Sequence, residues 1–263
     1  MPDLPLSHVA LLALAAFAAG VVDAVAGGGG LVTVPALLAA GLPPHLAIAT
    51  NKGQSVFGSG AALLRFARAG MVDRARARVA FPAGFAGSLV GAALLLLVSP
   101  SLLRPVVLAL LVLVGLFTAF QPRISQGRTA RPGAVFPVSP THASLAAAII
   151  ALVIGAYDGF FGPGTGTFLI LAFALVLGDG MARASGEAKA VNFASNLAGV
   201  ALFASRGVIL WRVALPMAAA QFAGAMLGAH LTIRHGDAFV RKVIVAVVLA
   251  LVVKLGRDAL TGN

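Results

Sequence analysis

GVVDAVAGGGG, from Gly20 to Gly30, returns as GAYDGFFGPGTG, from Gly155 to Gly166. Both copies set an aspartate, Asp23 or Asp158, and a cluster of glycines into apolar sequence, where ionisable groups are costly to keep. Beyond them the correspondence continues with the spacing lengthened by two positions: Lys52 aligns with Lys189, Phe66 to Gly70 with Phe203 to Gly207, and Phe85 to Ala92 with Phe222 to Ala229. The chain reads as a duplication with one small shift. Glycine-interrupted apolar segments in both halves are the pattern of a secondary transporter whose site lies between its repeats.

The 263 residues are 60% hydrophobic and 10% charged, with a mean hydropathy of +1.00, too little polar sequence to cover a soluble globule. Apolar stretches run over Val9–Ala26, Leu46–Leu64, Val79–Val98, Leu102–Phe120, Ala143–Phe161, Ala190–Ala204, Ile209–Leu231 and Phe239–Val253. Most approach the ~20 residues needed to span a bilayer. Two shorter ones, Leu31–Ala40 and Thr167–Leu177, directly follow the glycine clusters and suit a broken or re-entrant helix. The expected fold is an all-α integral membrane protein of two repeats, about five apolar segments each, with a short helix after each Gly-rich motif.

The formal charge of +11 sits in short connections between apolar segments, which is the distribution of cytoplasmic membrane loops and not of a nucleic-acid binder. The one sizeable polar stretch, Gln121 to His142, is the seam of the duplication. It divides the chain into a first membrane repeat (1–121), a cytoplasmic linker (122–141) and a second membrane repeat (142–263). Five crossings per half would turn the second copy upside down, and the loop charges agree. Arg65, Arg68, Arg74, Arg76 and Arg78 against Asp73 face only Arg206 and Arg212 in the matching loop. In the next loop the bias reverses, Arg104 against Arg234, Arg241 and Lys242 with Asp237. The seam, with Arg123, Arg128 and Arg131, is then cytoplasmic and both termini outside. If the short segments instead dip in and return, each half has four spans and the repeats are parallel. The N-terminal stretch has no basic start and reads as a retained first span.

Cysteine is absent, and the five histidines fall near segment ends without ligand spacing, so neither a metal nor another cofactor is expected. The ionisable groups away from the loops are Asp23, Lys52, Asp158, Glu187 and Lys189. Lys52, Ser55 and Ser59 recur as Lys189, Asn192 and Asn196, each set on one helix face. If those helices begin near Pro44 and Met181, the lysines lie ~12 Å in. Two ammonium groups with hydroxyl and amide donors suit a small anion; the serines and Asn196 serve equally well as glue between helices. Gly28, Gly29 and Gly30, and Gly164, Thr165 and Gly166, open short helices whose free N–H groups would cradle an anion, with Thr33 and Thr167 nearby. Asp23 and Asp158 either titrate and couple protons to transport or cap the break. Glu187, two residues before Lys189, is placed to neutralise it.

AGGGGLVTVPALLAAGLP in the first half, FFGPGTGTFLI in the second, and the run from Ala188 to Trp211 resemble the TauE/SafE sulfite exporter family, also called the sulfonate uptake permeases. The resemblance covers nearly the whole chain. It implies a multi-pass inner-membrane permease for small anions such as sulfite or sulfonates, and the repeated halves suit alternating access. Lys52 and Lys189 would neutralise the anion, with Asn51, Ser55, Asn192, Ser195 and Asn196 completing the shell. The partners open to such a protein are the anion, the lipid bilayer, protons as coupling ion and a second copy of the chain. Three rivals stand beside this: a membrane-embedded enzyme, for which nucleophile and acid–base candidates are nearly absent; a non-transporting subunit docking through Arg65 to Arg78; and a channel.

Overall fold

A computed structural model describes residues 5–126 and 142–261. Every regular element among the described residues is helical: α1 (Leu6–Ala26), α2 (Gly30–Ala39), α3 (Pro44–Arg68), α4 (Arg74–Leu97), α5 (Pro100–Gln126), α6 (Ala143–Phe160), α7 (Thr165–Ala172), a π-helical turn (Phe173–Leu177), α8 (Met181–Ser205) and α9 (Trp211–Thr261). α9 is broken at Gly236, where φ is 65° and ψ −157°, so that it runs as two arms. Each half thus carries five helical pieces in the same order, the second of them short. α5 continues to Gln126, and the rest of the expected linker, with Arg128 and Arg131, lies outside the described residues.

Local chemistry sets the element ends. Pro44 opens α3 at a position where its missing N–H costs nothing, and Asp73 caps α4 by accepting from Ala75 N–H at 2.9 Å and Arg76 N–H at 3.2 Å. Asp237, from the far arm of α9, accepts from Ala182 N–H at 2.8 Å at the start of α8. Gly27 ends α1 in the left-handed conformation (φ 76°), and Gly164 (φ 83°) starts α7 in the same way.

Among the described residues four helices are long and apolar enough to cross a membrane: α1, α4, α6 and the Trp211–Val240 part of α9. They turn Leu14, Val90, Ile149 and Leu215 outward, each more than half exposed, as lipid-facing residues do. α3 and α8 have the length to span, 25 residues each, but carry too much polar sequence to face lipid. Both are enclosed over their N-terminal halves, while Phe57, Leu64 and Leu197 further along reach the surface. Residues Ala47 to Gln54 and Ala184 to Asn192 are buried on every side.

Contacts between the halves are reciprocal. Gly87 and Gly91 of α4 lie on the carbonyls of Leu152 and Ala156 of α6, while Gly224 and Gly228 of α9 lie on those of Phe17 and Val21 of α1. Glycine permits this backbone-on-backbone approach. In both pairs residue numbers rise together, so the helices run parallel. α3 and α8 run antiparallel: Lys52 packs on Gly199, Ser59 meets Asn196 and Gly60 meets the ring of Phe193. Ser59 and Asn196 occupy equivalent positions in the two halves, and their side chains share a hydrogen bond of 3.2 Å.

Candidate functional site

α3 and α8 begin at Pro44 and Met181, where the sequence places them, and carry Lys52 and Lys189 into the interior at 1% and 0% exposure. A buried ammonium alone costs several kcal/mol, and each lysine is met by the aspartate of the opposite half. Lys52 Nζ lies 2.8 Å from Asp158 Oδ1, and Lys189 Nζ donates to Asp23 Oδ2 at 2.7 Å. Glu187, expected to neutralise Lys189, does not: its Oε1 accepts from Asp73 N–H at 2.7 Å. Residues two apart point to opposite sides of a helix, so Glu187 faces the α3–α4 connection while Lys189 faces inward. Asp23 holds its glycine turn by a hydrogen bond through its backbone carbonyl, which accepts from Gly27 N–H at 2.9 Å, and its side chain packs against Gly29.

The two aspartates differ in their surroundings. Asp158 is 4% exposed; Thr165 Oγ1 donates to its Oδ1 at 2.9 Å, and its Oδ2 is buried without a hydrogen-bond partner among the described residues. Thr165 Oγ1 also lies 2.7 Å from the Gly162 carbonyl. The Asp23 side chain is more open, at 16% against 6% for that of Asp158.

Between these pairs is a polar cavity of about 30 Å³. Asp23, Asn51, Lys52, Ser55, Asp158, Thr165, Asn192, Asn196 and Gln221 line it, with Gly27, Gly30, Gly162 and Gly166. The two glycine breaks touch at its floor. Gly27 packs directly on the backbone of Gly166, and Thr167 Oγ1 donates to the Ala26 carbonyl at 2.8 Å, so a side chain at either glycine would push the breaks apart.

Most of the residues singled out in the sequence therefore converge, some only through neighbours. Lys189 reaches the cavity by way of Asp23. Asn51 Oδ1 accepts from Thr33 Oγ1 at 2.6 Å and Gln54 Nε2 at 2.9 Å, which fixes its amide toward the space. Gly28, Gly29, Gly164 and Ser195 stand behind the wall. Gly28 and Gly29 accept from Leu31 and Val32 N–H in the first turn of α2, and the Ser195 carbonyl accepts from Ser88 Oγ at 2.8 Å. Gln221 was not singled out. Its equivalent in the first half is Gly84, so the repeat hid it, although it is the one amide in the apolar run from Met217 to Leu227. Among the described residues no three His, Asp or Glu side chains gather as metal ligands.

The family described as "Sulfite exporter TauE/SafE" matches residues 12–255. The chain is 36% identical to "Probable membrane transporter protein ORF9" of Sinorhizobium sp, over 98% of this chain and 96% of that one. It is also 36% identical to "Probable membrane transporter protein YfcA" of Escherichia coli (strain K12), over 95% and 90%. A third relative, "Probable membrane transporter protein" of Haemophilus influenzae, is 35% identical over 97% of both chains. No solved structure matches. The names describe transporters and not enzymes, in keeping with apolar outer helices around a polar centre. The chain belongs to the TauE/SafE sulfite exporter family, as a multi-pass membrane transporter.

Proposed function

We propose that the chain is a secondary transporter of small anions, with sulfite, a sulfonate or a related organosulfur compound as substrate, resident in the cell inner membrane. The observation that carries this reading is the pair of equivalent, buried lysines bracketing one polar cavity between the halves. Ammonium groups with nearby amide and hydroxyl donors suit a hydrophilic oxyanion. The family name favours sulfite among the candidates.

Transport would proceed by alternating access, one repeat rocking against the other around the shared site. Inverted repeats are supported by the antiparallel course of α3 and α8 and by the meeting of the equivalent residues Ser59 and Asn196. Re-entry of α2 and α7 is supported by their 10 and 8 residues and by the contact of their glycine starts beside the cavity.

Counterflow in proteoliposomes tests the proposal, with sulfite, thiosulfate, sulfoacetate, taurine and sulfate as the panel. Wild type is expected to exchange at least one of them, and Lys52→Ala and Lys189→Ala to lose that exchange. If both variants carried every anion at the wild-type rate, the binding residues would be misassigned.

A further inference from the structure

We infer that Asp158 is the proton carrier of this transporter, a placeholder carboxylate that the incoming anion displaces from Lys52 and that then leaves the charged state by taking up a proton. The inference rests on the anion-transport reading above and adds to it the coupling ion, the residue and the stoichiometry.

Lys52 enters the cavity already held by Asp158 at 2.8 Å, so an anion that takes its ammonium takes it from that carboxylate. A displaced carboxylate would be left charged at 4% exposure, with its former partner engaged elsewhere. An uncompensated buried charge is the costliest outcome available, and protonation removes it. The charge count closes: Lys⁺ with Asp⁻ becomes Lys⁺ with the anion and a neutral carboxyl, so a monovalent anion with one proton leaves the site as neutral as before.

Thr165 is built to serve both states. Its single hydroxyl hydrogen has two acceptors in reach, Asp158 Oδ1 at 2.9 Å and the Gly162 carbonyl at 2.7 Å. With Asp158 ionised, the hydroxyl donates to the carboxylate. With Asp158 protonated, the carboxyl donates to the threonine oxygen, whose hydrogen turns to Gly162. Asp158 Oδ2, buried and without a hydrogen-bond partner among the described residues, leaves a second oxygen open to the proton. Asp23 is held instead by the Lys189 ammonium and stays with it as the fixed member of the site.

The other groups around Asp158 do not compete for this role. Lys52 faces it from α3, and across the cavity stand Asp23 of α1 and Lys189 of α8 as a closed pair. Tyr157, its neighbour in α6, donates to the Pro163 carbonyl at 2.6 Å. On α8, Glu187 and Arg183 turn to the α3–α4 connection. α7 offers Thr165 alone, and the arginines of α4 end at Arg78, ~15 Å along the helix before Ser88, which meets Gly159.

The test uses proteoliposomes with a pH-sensitive dye inside and the membrane potential clamped, with methanesulfonate and isethionate as probes, both fully ionised monoanions that release no proton of their own. Wild type is expected to acidify the lumen as the anion enters and to be driven by an acid-outside gradient. Asp158→Asn should lose the proton signal per anion moved, whatever its residual rate. Thr165→Val should shift the pH profile of uptake, Thr165→Ser should restore it, and these two keep the test alive if Asp158→Asn fails to fold. Anion movement with no proton signal in wild type, or an unchanged proton-to-anion ratio in Asp158→Asn, overturns the inference and leaves anion transport standing. Movement of no anion at all by wild type overturns both, and is seen before any variant is made.

Discussion

The backbone N–H of Asp73 donates to Glu187 at 2.7 Å, and the N–H of Leu210 donates to Thr50 Oγ1 at 3.2 Å. Asp73 and Leu210 occupy equivalent positions in the two repeats, as do Thr50 and Glu187, so one joint is made twice, at the opposite ends of the antiparallel α3 and α8. Its chemistry differs between the ends. Around Glu187 stand Arg76, 2.7 Å from Asp179, and Arg183, within 4.0 Å of Asp73, Asp179 and Glu187. The Thr50 joint is a neutral hydroxyl. Under the alternating access proposed above each end opens in turn, and of these two hydrogen bonds the one at Glu187 is made to an ionisable group.

Arg76→Gln should therefore loosen the Glu187 end alone. A charge-assisted hydrogen bond contributes ~1.5–3 kcal/mol, so its loss should shift the balance toward opening at that end by about tenfold or more. The chain has no cysteine, which makes Ser55→Cys a clean reporter at the cavity wall. Labelling by a membrane-impermeant maleimide should rise about tenfold from the Arg76 side and stay unchanged from the other. Equal labelling from that side with and without Arg76 would remove the charge network as the closing element.

Asp73 and Asp179 should respond to pH in opposite senses. The N–H of Arg76 above all, then that of Ala75 and the charges of Arg76 and Arg183, holds the Asp73 carboxyl below its ordinary value. Its contribution to stability is present above the unfolded value and is lost as pH falls through the depressed one. Burial pushes the Asp179 carboxyl up against the pull of Arg76 and Arg183, so its contribution is present in acid and is lost as pH rises through the raised value. Asp73→Ala should cost about 1 kcal/mol as a lost helix cap near neutral pH. In melts of the detergent-solubilised protein the gap to wild type should close below the ordinary carboxylate range. A gap that persists there would mean that charge plays no part in the cap.

The duplication, the starts of α3 and α8 and the short second helices were all legible, because proline, glycine and apolar length act locally and leave their mark in every copy. Pairing between the halves was not. Lys52 and Lys189 each meet an aspartate from the other repeat, and nothing local separates that arrangement from lysines held free for a substrate. The tempting local partner, Glu187, failed because two residues along a helix reverse the direction of a side chain. Gln221 escaped because its counterpart is glycine, so a site read from what repeats misses what does not.

Glycines at the helix crossings should carry stability in matched amounts. A methyl added at Gly91 would fall on the carbonyl oxygen of Ala156, and one at Gly228 on that of Val21. Each Gly→Ala change should cost ~1–3 kcal/mol as overpacking, and the two should add, because the crossings share no residues. Gly41 has open space around it but a φ of +90°, so Gly41→Ala should cost about 1 kcal/mol through backbone conformation alone. Thermal melts of the three single variants and the Gly91/Gly228 double check this. A silent Gly91→Ala would mean that the α4–α6 contact is looser than described.

Stability and transport separate most sharply at the second ion pair. Lys189→Met leaves Asp23 without its cation, and Asp23→Leu leaves Lys189, fully buried, without its anion. Removing one partner of a buried pair costs ~3–5 kcal/mol, whereas replacing both by apolar side chains of similar size is often neutral or stabilising. Each single variant should therefore melt well below wild type or fail to accumulate in the membrane, and the double Asp23→Leu/Lys189→Met should regain wild-type thermal stability. If the pair existed only to hold the halves together, that double variant would also transport. As part of the anion site it should fold and carry nothing, so wild-type counterflow by a stable double variant would reduce Lys189 and Asp23 to a structural clasp and leave the site to Lys52 and Asp158.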